Sequence, residues 1–245
     1  MWNLLSRAKK RAPKTPDGVR VYAIGDLHGR ADLLAQLLAA IDADVAAHPA
    51  RQVAEVFLGD YIDRGPHSRE VLDILVSRRE HRKMVCLKGN HETCIPDFLR
   101  NPAMLTQWRN LGGLETLLSY GVKPPINPDE REERELAADF SRALPDSHRR
   151  FLSGLTGSFE CGDYFFAHAG IRPGVPLSEQ QDKDLLWIRE DFLDHEKSFG
   201  KIVIHGHTPV EEPDIRPNRI NIDTGAYATG KLTCLVLQGE DMMFI

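Results

Sequence analysis

Aspartate, histidine and asparagine recur beside glycine at five points in the chain, each directly after a short apolar run. The clusters are Gly25-Asp26-Leu27-His28-Gly29, Gly59-Asp60-Tyr61-Ile62-Asp63-Arg64-Gly65, Gly89-Asn90-His91-Glu92, His168-Ala169-Gly170 and His205-Gly206-His207. Oxygen and imidazole donors in this mixture suit a divalent first-row metal, and several converging sets would supply a pair of metals. The candidate ligands are Asp26, His28, Asp60, Asn90, His168 and His207. Asp26 and His28 are two apart, so on an extended segment they point the same way and can bind one ion together. Asp60 can offer one oxygen to each of two metals, and Asn90 supplies a neutral carbonyl oxygen. Any one of these histidines alone reads better as a hydrogen-bonded strand-end residue; five such segments together reverse that preference.

The elements that must position these residues are legible from patterning. The runs 19–24, 53–58 and 84–87 are short, aliphatic and end at or near glycine, as buried parallel strands do. Helical spacing over 31–47 (Leu33, Leu34, Leu37, Leu38, Ile41) and a second helix at 67–80 complete a βαβαβ unit. The first three clusters then sit at the carboxyl ends of neighbouring strands, where open α/β sheets place ligands. From 98 to 120 and 128 to 155 the pattern turns helical, broken at Gly112-Gly113 and Pro124-Pro125, which reads as a helical insertion over about 93–155. Strand signals resume at 158–161 and 164–168, joined by a Gly162-Asp163 turn. Further strands are expected at 201–204, 220–222, 231–237 and 241–244, forming a second, mixed or antiparallel sheet. The reading is of one domain over 19–245 preceded by a flexible basic arm at 1–18.

Composition narrows the function classes. A chain of 245 residues buries a sizeable core. The formal net charge of -5 and pI near 6.1 give no global attraction to nucleic acid or to an anionic membrane. Cys86, Cys94, Cys161 and Cys234 show no paired spacing, so neither a disulfide framework nor a thiolate zinc site is expected. No run approaches transmembrane length, and the basic first sixteen residues lack the apolar core of a signal peptide. A cytoplasmic location is the expectation.

The ordered motifs Asp-x-His-Gly, Gly-Asp-x-x-Asp-Arg-Gly and Gly-Asn-His-Glu resemble those of the phosphoprotein phosphatase branch of the calcineurin-like metallophosphoesterases, in their bacterial and bacteriophage form. The resemblance covers roughly residues 19–237. It implies an α/β fold, a four-layer α/β/β/α sandwich with a dinuclear metal centre between the sheets. Asp26, His28 and Asp60 match the ligands of one ion; Asp60, Asn90, His168 and His207 match those of the other, with Asp60 bridging. Pro209 stands where the wider superfamily often has a further histidine, leaving the first ion three protein ligands. The cofactors implied are two divalent ions, with manganese expected first and iron or zinc compatible.

The same resemblance implies roles in catalysis. A hydroxide held between the metals would attack phosphorus in line, without a covalent phosphoenzyme. His91 matches the general acid, Asp63 would orient it, and Arg64 and Arg189 match phosphate clamps. Plainer readings stand beside these: a turn-capping carboxylate for Asp63 and a solvated helix-end charge for Arg189. Tyr227 could border the substrate or simply pack, Asp223 could support a metal histidine or form a turn, and His205 could pack or ligate. Cys94 reads as an inert thiol, and Trp108 with Gly112-Gly113 resembles a helical segment bordering the family's cleft, although an aromatic in an amphipathic helix is usually core. The expected function is a serine/threonine, or dual-specificity, protein phosphatase acting on phosphoproteins. Hydrolysis of dinucleoside polyphosphates such as diadenosine tetraphosphate, or of another small phosphoester, is the alternative, and a catalytically dead phosphate-binding module is a third possibility.

Overall fold

Three strands and two helices alternate at the head of the chain: β1 (Val19–Ile24), α1 (Ala31–Ala47), β2 (Gln52–Phe57), α2 (Ser68–Arg79) and β3 (Met84–Cys86). The computed structural model describes residues 11–245. β1 pairs parallel with β2, and β2 with β3, as the aliphatic runs predict. Five short helices follow: α3 (Cys94–Arg100), α4 (Leu105–Asn110), α5 (Gly113–Ser119), α6 (Glu130–Ala143) and α7 (Asp146–Ser153). The remainder comprises β4 (Ser158–Cys161), β5 (Tyr164–Ala167), α8 (Asp182–Trp187), α9 (Glu190–Leu193), β6 (Ile202–His205), β7 (Asp214–Ile215), β8 (Arg219–Asn221), α10 (Ala226–Thr229), β9 (Cys234–Gln238) and β10 (Asp241–Phe244).

Two five-stranded sheets result, ordered β10-β9-β1-β2-β3 and β4-β5-β6-β8-β7. The second is mixed, as expected: β4 and β7 pair antiparallel to their neighbours while β5, β6 and β8 run parallel. One expectation is corrected. The strands predicted at 231–237 and 241–244 do not join the second sheet; β9 pairs antiparallel with the free edge of β1, and β10 with β9. The reason is two-sided burial. Leu235 and Leu237 face the second sheet, while Cys234 and Val236 face the helices, so β9 extends both cores at once.

The same alternation defines four layers. Val21, Ala23 and Val56 pack against Phe166, Ile204 and Ile220 between the sheets. Tyr22, Ile24 and Phe57 point the other way, onto Leu34 and Ile41 of α1 and Leu72 of α2. On the outer face of the second sheet, Phe165 and Val203 meet Leu185 and Phe192 of α8 and α9. Period-2 side-chain direction sends each strand into two cores, which is why these strands read as unbroken apolar runs.

The helices after β3 cover the carboxyl end of the first sheet and bring Trp108 and Phe140 into its core. α6 starts at a capping box in which Asp129 accepts from the Arg131 and Glu132 N–H groups and Glu132 accepts from Asp129 N–H. Of the arm expected at 1–18, residues 1–10 lie outside the described residues. The rest is bound where it can be followed: buried Thr15 donates its N–H to Gly239 O, and Lys14 O accepts from Asp163 N–H. Among the described residues no helix is long and apolar enough to cross a membrane.

Candidate metal centre

The five non-glycine residues with left-handed backbone among the described residues are His28, Asp60, Asp63, Arg64 and His207, with φ between 40 and 70°. All five were singled out from sequence as site residues. Such conformations cost about 1–3 kcal/mol each and persist where surrounding structure over-determines them. Here the surroundings are close backbone packing: the N–H groups of Leu27 and His28 both donate to Asp60 O, and Gly29 N–H donates to Tyr61 O, tying the first cluster to the second. Gly89 lies so near Asp60 that a Cβ there would collide with Asp60 N and Oδ1.

Five side chains converge around Asp60. Its Oδ2 lies 3.4 Å from His28 Nε2 and 3.8 Å from His91 Nε2; its Oδ1 lies 3.4 Å from His168 Nε2. Asn90 Oδ1 is 3.0 Å from His168 Nε2 and 2.9 Å from His207 Nδ1. Two groups of donor atoms therefore share Asp60: His28, Asp60 and His91 on one side, and Asp60, His168 and His207 on the other. Asn90 completes the second. Asp26 stands off to the side, where its Oδ2 accepts the His207 N–H at 3.0 Å and its buried Oδ1 has no partner.

The tautomers suit this cluster to a cation. His28 Nδ1 lies 2.9 Å from Ile62 O and His168 Nδ1 2.9 Å from Leu58 O; a carbonyl only accepts, so Nδ1 carries the proton in both rings. Each Nε2 is then a lone pair aimed at further acceptors, the Asp60 carboxylate and the Asn90 carbonyl. Buried lone pairs facing one another are unfavourable unless a cation lies between them. Burial, chiefly, pushes His28 and His207 down to about 3 and lowers His168, so the rings are neutral, the form that ligates metal. Burial works against the Asp60 carboxylate, but the net direction is down, and His91, the neighbouring ring whose pKa is raised, is the one that carries charge beside it. The Asp26 carboxyl is pushed well up, by burial and then by Asp223 and Asp60, a crowding of like charge that a bound cation would relieve.

On the other flank His91 Nδ1 lies 2.7 Å from Asp63 Oδ2, and Asp63 is itself clamped. Trp108 Nε1–H donates to it at 3.0 Å and Thr116 Oγ1–H at 2.6 Å. Burial depresses the His91 pKa, but Asp60 and Asp63 overcome it and the net direction is up. Trp108, read from sequence as core, is fully buried and also a donor to Asp63. Thr116 was missed; a threonine on a short helix carries no signal that it faces a carboxylate 53 residues away.

Arg64 is half-buried, with Nη2 3.3 Å from His91 Nε2 and its guanidinium 4.8 Å from the centre of the Tyr227 ring. Tyr227 also meets His28 edge-on at 5.4 Å, so it stands at the mouth of the centre. Arg189 is exposed between α8 and α9, yet its charge helps keep His168 and His207 neutral. Glu92, quoted in its cluster but given no role, accepts the N–H groups of Asp60, Tyr61 and Gly89 at 2.8–3.0 Å. Asp223 sits beside Asp26 rather than beside a metal histidine and accepts the Gly225 N–H at 2.9 Å. His205 packs edge-on against Phe192, away from both donor groups, and burial pushes the Cys94 thiol up to about 12.

The chain is similar to known proteins over most of its length. Residues 19–235 match the calcineurin-like phosphoesterase family. A protein of Anoxybacillus flavithermus named bis(5'-nucleosyl)-tetraphosphatase PrpE, asymmetrical, is 30% identical over 233 residues, covering 86% of this chain and 88% of that one. The Bacillus subtilis protein of the same name is 29% identical, covering 86% and 87%. Among solved structures, one with a provisional diadenosine tetraphosphatase name superposes with a TM-score of 0.63 at 19% identity, covering 96% and 98% of the two chains. A mutant of a cold-active protein tyrosine phosphatase gives 0.59 at 16%, covering 94% and 80%; at such identities these structures attest the fold. The two shared sheets, the donor groups around Asp60 and the match over nearly the whole chain make this protein an enzyme of the calcineurin-like phosphoesterase family.

Proposed function

We propose that this metallophosphoesterase hydrolyses dinucleoside polyphosphates, cleaving a phosphoanhydride bond of a substrate such as diadenosine tetraphosphate. One observation carries the hydrolytic reading: two tautomer-locked histidines aim lone pairs at a shared carboxylate and amide, an arrangement that calls for cations. The substrate reading is supported by the relatives matched over most of their length, which are named tetraphosphatases. It replaces the protein phosphatase as the first expectation.

We assign His28 and Asp60, joined by Asp26 through its unpartnered Oδ1, to one divalent ion and Asp60, Asn90, His168 and His207 to the other, while His91, held by Asp63, is kept for proton transfer. Ions bound there would supply Lewis acidity that polarises phosphoryl oxygens and acidifies water. The chain's own groups do the rest. Arg64 offers a planar fork to two phosphate oxygens, and Arg189 approaches from the opposite side of the cluster. His91, with Nδ1–H held by Asp63, presents Nε2 toward the centre to deliver a proton to the departing oxygen. The backbone N–H groups gathered by Glu92 keep Asp60 and Gly89 in register.

A second reading keeps one observation in its favour. A nucleotide leaving group has a phosphate pKa near ~6 and needs little protonation, whereas a serine alkoxide needs a strong acid. The fully formed Asp63–His91 pair is what phosphoserine hydrolysis would use. The deciding experiment compares kcat/KM for diadenosine tetraphosphate, a phosphoserine peptide, a phosphotyrosine peptide and p-nitrophenyl phosphate, each with manganese and with chelator. Preference for the tetraphosphate by tenfold or more, with AMP and ATP as products, is expected; preference for a phosphopeptide would reverse the ranking.

A further inference from the structure

Beside Arg64 and Tyr227, on the side away from His168 and His207, the surface opens into a depression of about 640 Å³. Its size falls within the roughly 300–1,000 Å³ of small-molecule sites. The walls come from the α4–α5 turn, through Leu111 and Leu114, and from the loop before α6, through Pro124, Pro125 and Ile126. They are mostly apolar, and Ile126 is 88% exposed. The wall is also braced: Arg109 donates to Ile126 O at 2.8 Å and to Pro125 O, fastening the loop to α4.

We infer that this depression is the subsite for a nucleoside of the substrate, its base lying between the Tyr227 ring and the Ile126–Pro125 wall. The inference rests on the dinucleoside polyphosphate reading and extends it. The order of groups matches such a substrate: metal ligands, then the Arg64 fork where phosphate charge would lie, then a cation–aromatic pair, then an apolar wall. A purine presents a flat apolar face bonded through ribose to phosphate, the same succession of chemistry. Tyr227 is 39% exposed and half-fixed by Arg64, so one of its faces is pre-organised without being covered.

The test uses Ile126→Asp and Ile126→Trp in the full chain loaded with manganese. With diadenosine tetraphosphate, Ile126→Asp should raise KM at least fivefold with kcat within about twofold, and Ile126→Trp should lower KM or leave it near the wild-type value. With p-nitrophenyl phosphate, Ile126→Asp should shift KM by a much smaller factor than it does for the tetraphosphate. A second readout does not depend on tetraphosphate turnover: AMP should inhibit wild-type hydrolysis of p-nitrophenyl phosphate at least tenfold more tightly than inorganic phosphate, and Ile126→Asp should erase that margin. Wild-type turnover of the tetraphosphate with no effect of Ile126→Asp would overturn the subsite and spare the functional reading. No wild-type turnover would overturn the functional reading; AMP binding no tighter than phosphate would overturn the subsite in either case.

Discussion

Asp63 Oδ2 lies 2.7 Å from His91 Nδ1, and both side chains are sealed from solvent. Four further contacts fix this pair: Trp108 and Thr116 hold Asp63 from behind, while Arg64 and Asp60 flank His91 Nε2 in front. The imidazole therefore has one orientation and one tautomer. Asp63→Asn is expected to lower kcat by about 100-fold for a phosphomonoester with a poor leaving group, within the range for a mispositioned general acid. Trp108→Phe, which removes one donor and keeps the ring packing, should cost less. His91→Asn should slow a phosphoserine peptide far more than p-nitrophenyl phosphate or diadenosine tetraphosphate; equal slowing of all three would argue against the acid role.

Asp60 is the residue common to both donor groups. Replacement by Asn keeps the size and removes the negative charge and one acceptor oxygen. Activity should fall about 100-fold or more, because several kcal/mol of charge stabilisation is lost with the metals. Metal content measured by plasma emission on the dialysed protein should fall in parallel. Near wild-type turnover with two ions per chain would sink the ligand assignment.

Gly89 has no room for a methyl group, since its Cβ would meet Asp60 N and Oδ1 and approach Glu92 Oε2 at 2.8 Å. Neither Asp60 nor Glu92 can retreat, as both are fully enclosed and hydrogen-bonded to one another's segment. Gly89→Ala should cost about 1–3 kcal/mol of stability in urea titration, the usual range for overpacking, and should reduce metal affinity. A variant with an unchanged midpoint and full metal content would show that the turn is looser than it looks.

His205 supplies a pH dependence separate from the reaction. Burial, reinforced by Arg219, pushes it down to about 3, whereas an unfolded histidine titrates near ~6.5. Below ~6.5 the unfolded chain takes up a proton that the folded chain refuses, so the contribution is fully present above that pH and is lost as pH falls toward 3. The urea midpoint of chelated protein should drop between pH 7.5 and 5.0. His205→Gln should show a shallower drop, and the same slope in both proteins would count against this assignment.

The local half of this protein was written in its sequence. Short aliphatic runs ending at glycine mark strands because a strand buried on both faces has no polar side to display, and β1, β2 and β3 lie close to where that pattern puts them. The clusters at their ends could be read as ligands because aspartate, histidine and asparagine beside glycine serve metal chemistry. Three things needed the tertiary structure. β9 returned to the first sheet because pairing partners are chosen by which two cores a strand can fill together. Thr116 and Trp108 met Asp63 only because α4 and α5 fold back over the strand ends, a contact with no periodicity to reveal it. The locked tautomers of His28 and His168 depend on backbone carbonyls of Ile62 and Leu58, which carry no residue-specific signal at all. Residue type set what chemistry was possible; the fold decided which atoms face one another.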